Sequence, residues 1–169
     1  MWKKLKRILR HRWVDEDDVR RVLPPAALER LQARVQASEQ RHSGQIRLAI
    51  EAGLPWSYLW REASARERAV ALFGKLRVWD TERNNGVLIY LLLSERAIEI
   101  VADRGVSRHV TPDQWQVLVD RMRGAFRAGR FEEGLGQSID EVTALLVEHF
   151  PGRSSSNELP DTPVTDLGA

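Results

Sequence analysis

Seven consecutive apolar residues, Val87-Leu88-Ile89-Tyr90-Leu91-Leu92-Leu93, follow directly on Gly86 and the polar loop Asp80-Thr81-Glu82-Arg83-Asn84-Asn85. A segment with no polar position cannot lie on a half-exposed surface, so it reads as a central strand covered on both faces. It is also far shorter than the roughly 20 residues of a membrane-spanning helix. Ser94-Glu95-Arg96 turns the chain, and Ala97 to Asp103 reads as a second strand. The short connection makes the two an antiparallel hairpin.

The flanking segments supply the remaining layers. Pro24-Pro25 opens a helix with Leu28, Leu31 and Val35 as its buried stripe, and Gly44 is placed to end it. Ile46, Leu48 and Ile50 alternate with Gln45, Arg47 and Glu51, the period of a half-buried strand. Ser64 and Glu67 have capping-box spacing for a crossover helix with Val70, Phe73 and Leu76 on its face. Thr111-Pro112-Asp113-Gln114 starts a further helix carrying Trp115, Leu118, Met122 and Phe126. Gly129 breaks it, and Leu135, Ile139, Val142, Leu146 and Phe150 form the stripe of the last one. The expected fold is α/β: a small mixed sheet with a central hairpin, sandwiched by helices in the order α-β-α-β-β-α-α.

The ends differ from this middle. Lys3, Lys4, Lys6, Arg7, Arg10 and Arg12 crowd into the first turns, while Trp2, Leu5, Leu9 and Trp13 recur at helical spacing. Residues 1–23 therefore read as a basic amphipathic helix with an acidic linker, Asp15-Glu16-Asp17-Asp18, that neutralises the helix or begins a turn of its own. Three readings of the helix compete: a terminal helix packed on the domain, a reversible anchor on anionic lipid with Trp2, Lys3, Lys4, Lys6 and Arg7 at the surface, or a contact for nucleic acid or a protein partner. Residues 24–152 form the domain. Residues 153–169, rich in serine and proline, carry too little apolar surface to fold. With its basic end set aside, the domain is mildly acidic, which argues against nucleic acid as a partner. With no apolar span and no secretory signal, the expected location is cytoplasmic, peripheral on the inner face of the membrane if the helix is an anchor. The oligomeric state is not readable.

The chain has no cysteine, which excludes disulfides, thiolate zinc sites and cysteine nucleophiles. His11, His42, His109 and His149 lack metal-ligand spacing. His42-Ser43 with Asp103 has the residue types of a triad, but adjacent side chains seldom meet productively and no G-x-S-x-G elbow occurs. No glycine-rich phosphate loop is present. Trp56, Trp60, Trp79 and Trp115 read as core or domain-edge packing. Centring the hairpin near Glu95 sets Gly86 roughly opposite Arg104, and a parallel crossover brings Ser43 to the same end of the sheet. Asp80, Glu82, Asn84, Asn85 and Asp103 then converge, with Ser43, Arg104 and His109 as ligand or partner contacts. Such oxygens suit calcium or magnesium. The competing reading is a solvated turn with Asp103 paired to an arginine.

The run Asn84-Asn85-Gly86 with the strand after it, then Ile98-Glu99-Ile100-Val101-Ala102-Asp103-Arg104-Gly105-Val106, resembles the TPM domain. Phe126-Arg127-Ala128-Gly129-Arg130-Phe131-Glu132-Glu133-Gly134-Leu135 is similar to that family's later helix-breaking motif. The resemblance covers roughly residues 25 to 150 and implies a sandwich of helices around a small mixed sheet. It also implies several functions: acid phosphatase activity in plant members, calcium binding in some bacterial ones, and accessory roles beside membrane proteins. Asn84 stands where the family's strand-leading motif usually has Asp, which removes one charge from a metal site. The expectation is a binding or accessory module, tethered by its basic helix and holding a divalent cation; the alternatives are a metal-assisted phosphomonoesterase with Asp103 or Glu82 as ligand or base, and a structural scaffold.

Overall fold

The computed structural model describes residues 2–154, 156–165 and 167; the side chain of Lys3 lies outside this set. The elements in chain order are α1 (Trp2–Trp13), α2 (Glu16–Val22), α3 (Pro25–Glu39), β1 (Gln45–Glu51), α4 (Trp56–Trp60), α5 (Ala65–Lys75), β2 (Gly86–Leu92), β3 (Ala97–Ala102), α6 (Arg104–Ser107), α7 (Pro112–Arg127) and α8 (Phe131–His149). Every residue of β2 is buried, as an uninterrupted apolar run requires. It lies between β1, paired parallel, and β3, paired antiparallel. The result is the mixed α/β sandwich expected.

Alternation along the strands divides the core between the two faces of the sheet. Ile46, Leu48, Ile50, Ile89, Leu91 and Ile100 meet α3, α7 and α8 on one side. Leu88, Tyr90, Leu92 and Val101 meet α5 on the other. The helix starts follow their sequence signals: Ser64 with Glu67 and Thr111 with Gln114 both form capping boxes, and Asp15 with Asp18 forms a third that opens α2. The acidic linker thus begins a helix of its own.

Three expectations are corrected. First, β1 is covered on both faces rather than half-buried. Its polar residues are absorbed by partners: Glu51 takes the Arg68 guanidinium and the Tyr90 hydroxyl, the latter at 2.7 Å, and Arg47 donates to the Thr162 carbonyl at 2.9 Å. Because Arg68 must reach Glu51, α5 buries Ala65, Arg68, Ala69 and Leu72, and Val70 faces solvent. Second, the segment beyond residue 153 does not stay apart. Val164 pairs with the free edge of β1, its N–H donating to Leu48 O at 3.0 Å and its carbonyl accepting from Ile50 N at 2.8 Å. Leu159 and Leu167 are buried beneath it, and an edge strand that would otherwise present open backbone groups is blunted. Third, Trp56, Trp60 and Trp79 are exposed.

Helix α1 docks with its polar face. Arg7 Nε donates to Glu95 Oε1 at 2.6 Å, and His11 Nε2 meets the same oxygen at 2.9 Å. His11 Nδ1 accepts from the Leu54 backbone N–H at 3.0 Å, which puts the ring proton on Nε2. Lys4 Nζ donates to Trp60 O at 2.9 Å. Lys4 and Arg7, expected at a membrane surface, therefore face the domain. Trp2, Leu5, Leu9 and Trp13 point outward.

Candidate functional site

Two loops interlock where β2 begins and β3 ends. The Asp103 N–H donates to Gly86 O and the Gly105 N–H to Asn84 O, each at 2.9 Å. Gly105 is forced by this approach, since a Cβ there would sit 2.4 Å from Asn84 O, and Gly86 by the chain that leads into the loop, where a Cβ would sit 2.0 Å from Val78 O. Asn84 itself adopts the left-handed conformation, φ 51°, which asparagine tolerates better than most residues. Gly86 lies opposite Gln45 across the parallel pair, so the start of β1 reaches the same end.

Asn85 is the centre of this arrangement and is fully buried. Its N–H donates to Thr81 Oγ1 at 3.1 Å, its Nδ2 donates to Ser43 O at 3.0 Å, and its carbonyl accepts from Gln45 N at 3.2 Å. Its Oδ1 has no partner among the described residues. Asp103 caps α6, Oδ1 accepting from Arg104 N at 2.7 Å, and its buried Oδ2 is likewise without a partner among the described residues. Unsatisfied buried oxygens cost about 1–3 kcal/mol each and call for an explanation such as a water or an ion. Around them stand Ser43, whose Oγ accepts from Arg83 Nη1 at 3.2 Å, and Asn84, whose Oδ1 accepts from Arg104 Nη2 at 3.4 Å.

The full set of five oxygen-bearing residues does not converge. Asp80 is exposed and pairs with Arg77 at 3.5 Å; Glu82 is exposed and gives its backbone N–H to Glu158. His109 is exposed and stacks on His149, ring centroids 4.8 Å apart, with Phe150 edge-on. Among the described residues no group of three or more His, Asp or Glu is arranged to hold a metal. What remains is one carboxylate oxygen of Asp103 and one amide oxygen of Asn85, on two loops that adjoin through the Asp103–Gly86 and Gly105–Asn84 hydrogen bonds, with Arg83 bonded to Ser43 and Arg104 to Asn84. Thr81 and Arg83 lie within the loop singled out by sequence, but nothing in residue type alone marked Thr81 for burial or Arg83 for Ser43.

His42 is bonded to Ser38 Oγ at 2.7 Å, not to Ser43, and its Nδ1 donates to Gly44 O at 3.2 Å. Burial pulls its imidazole down to about 4, so it is neutral at ordinary pH. With both groups buried, this serine and histidine join α3 to β1 and are closed to substrate.

The TPM domain model matches residues 17–145. Among solved structures, the chain is similar to the BA42 protein of the psychrophilic bacterium Bizionia argentinensis, with 26% identity and a TM-score of 0.74 over 85% of this chain and 94% of that one. It shares its fold with the N-terminal domain of a P. gingivalis protein, at 21% identity and a TM-score of 0.61 over 76% of this chain and 81% of that one. No curated protein matches. Since the family model spans most of the chain and the interlocked Asn-Asn-Gly and Asp-Arg-Gly loops stand where the sequence resemblance puts them, this chain belongs to the TPM domain family.

Proposed function

We propose that the chain is a non-enzymatic binding and accessory module that takes a divalent cation at the Asn85–Asp103 end of the sheet and associates peripherally with a membrane. The observation carrying the cation is the pair of buried oxygens without partners, Asn85 Oδ1 and Asp103 Oδ2. Their chemistry, a carboxylate oxygen and an amide oxygen on adjoining loops, suits a hard cation such as calcium or magnesium. Asp103 would supply the charge, with Asn85 and Asn84 completing the protein's share. With a single carboxylate and two arginines nearby, affinity is expected in the range of about 0.1–1 mM. Calorimetric titration of the purified protein with calcium and with magnesium tests this, together with the rise in melting temperature at saturating ion. Asp103→Asn should remove both signals while leaving the fold intact. Heat and stabilisation unchanged in that variant would refute the site.

A second reading, a metal-assisted phosphomonoesterase, draws support from Arg83 and Arg104, which bond to Ser43 and Asn84 at the same end of the sheet and could clamp a phosphoryl group. It requires hydrolysis of a generic phosphomonoester that depends on added magnesium or calcium and disappears with Asp103→Asn. Equal rates in both proteins would dismiss it.

A further inference from the structure

We infer that the outward face of α1 is an interfacial docking surface for an anionic lipid bilayer. This rests on the peripheral-association half of the reading above and is independent of the cation. Helix α1 reverses the usual polarity of such an element. A terminal amphipathic helix normally buries its apolar stripe against its own domain. Here α1 is held to the domain by Arg7 and His11, on Glu95, Ser94 and the Ala63 and Leu54 backbone, by Lys4 on the Trp60 carbonyl, and by Ile8 packed against the core. The stripe at i, i+3, i+7 and i+11 is left in solvent: Trp2 is 77% exposed, Leu5 49%, Leu9 47% and Trp13 81%. The polar contacts fix which face looks outward, and they spend the helix's inward cations on the domain.

The surroundings select lipid as the occupant. Lys6 and Arg10 lie along one border of the stripe and Arg12 along the other, all exposed. Tryptophans stand at both ends of the stripe, where amphipathic rings favour the headgroup level. On adjoining α4 the indoles of Trp56 and Trp60, also exposed, lie 6.0 Å apart, and Lys4 Nζ is 5.2 Å from the Trp60 ring. An apolar stripe rimmed by cations and bracketed by indoles is the composition of a helix lying in an anionic interface. The acidic segment that follows does not oppose it strongly, because Asp17 and Asp18 pair with Arg20 and Arg21 of the same helix.

The test uses the full chain with vesicles of phosphatidylcholine alone and of phosphatidylcholine with phosphatidylserine, read by sedimentation and by a blue shift of tryptophan emission. Binding is expected at low salt to the anionic vesicles, at least about tenfold weaker to the neutral ones, and falling as salt rises. Leu5→Glu with Leu9→Glu should abolish it with little change in the melting temperature, since both side chains lie on the outward face of α1. Lys6→Glu with Arg10→Glu should erase the preference for phosphatidylserine. Failure to sediment at low salt would overturn the inference, as would equal binding of both lipids or binding indifferent to the leucine variants. Self-association that vanishes with the leucine variants while vesicles bind nothing would assign the stripe to a second copy instead. Because Asp103 and Asn85 lie at the opposite end of β2, a negative vesicle result leaves the cation titration standing.

Discussion

Glu39 is a carboxylic acid held neutral by its place in the fold. Burial, with a further push from Asp161, raises its carboxyl from 4.5 to about 8, although it accepts the Ile46 N–H at 3.0 Å. The folded value lies above the unfolded one, so the stability this proton carries is complete below about pH 4.5 and is lost as pH climbs through about 8. Glu39→Gln keeps the acceptor and cannot ionise. Its melting temperature should match the native protein near pH 4 and exceed it by about 3 °C or more at pH 8, in melts taken across that range. Asn84 offers a complementary residue-scale experiment. Asn84→Asp restores the acid usual in the family motif, and aspartate also tolerates the left-handed backbone found there. Calcium affinity should rise by about tenfold by calorimetry, the effect of one added charge worth about 1.4 kcal/mol.

Two elements are joined to the domain by contacts that their own sequences do not announce. For α1 the joint is Glu95, whose carboxyl is held down at about 2 chiefly by the His11 hydrogen bond and then by Arg7. Its folded value is depressed, so the stability it lends is present above about pH 4.5 and is lost as pH falls toward 2. Glu95→Gln should cost about 1–2 kcal/mol in denaturant unfolding, and the amides of residues 2–13 should exchange faster than in the native protein. For the segment after residue 153 the joint is Val164 on the edge of β1. Val164→Pro removes the N–H given to Leu48 O. Faster exchange at Ile50 and a loss of about 1–2 kcal/mol are expected, while the melting transition remains single. The expectation that this segment could not fold followed from its composition, which is correct for an isolated peptide. Composition does not reveal that β1 leaves an open edge and that Leu88 and Tyr90 need cover.

At the scale of the molecule, the family match begins at residue 17, beyond α1. Removal of residues 1–13 should therefore leave one cooperative transition at a lowered melting temperature and, with the stripe gone, no binding to anionic vesicles. What the sequence by itself determined is the scaffold: the unbroken apolar run of β2, its hairpin with β3, the parallel partner β1 and the capped starts of α5 and α7 are all local signals, and local hydrogen bonding and periodicity are enough to set them. It also brought the two loops of the candidate site together, because hairpin register carries Gly86, the residue after Asn85, to Asp103 once the turn is known. The tertiary structure decided the rest. It turned Asp80 and Glu82 out to Arg77 and solvent, leaving Asn85 Oδ1 and Asp103 Oδ2 as the buried pair. It faced α1 outward, since a helix with one apolar and one basic face can dock by either, and the choice fell to Glu95, eighty-four residues from His11. Contacts at that separation have no period in the sequence; only the packed chain brings their partners together.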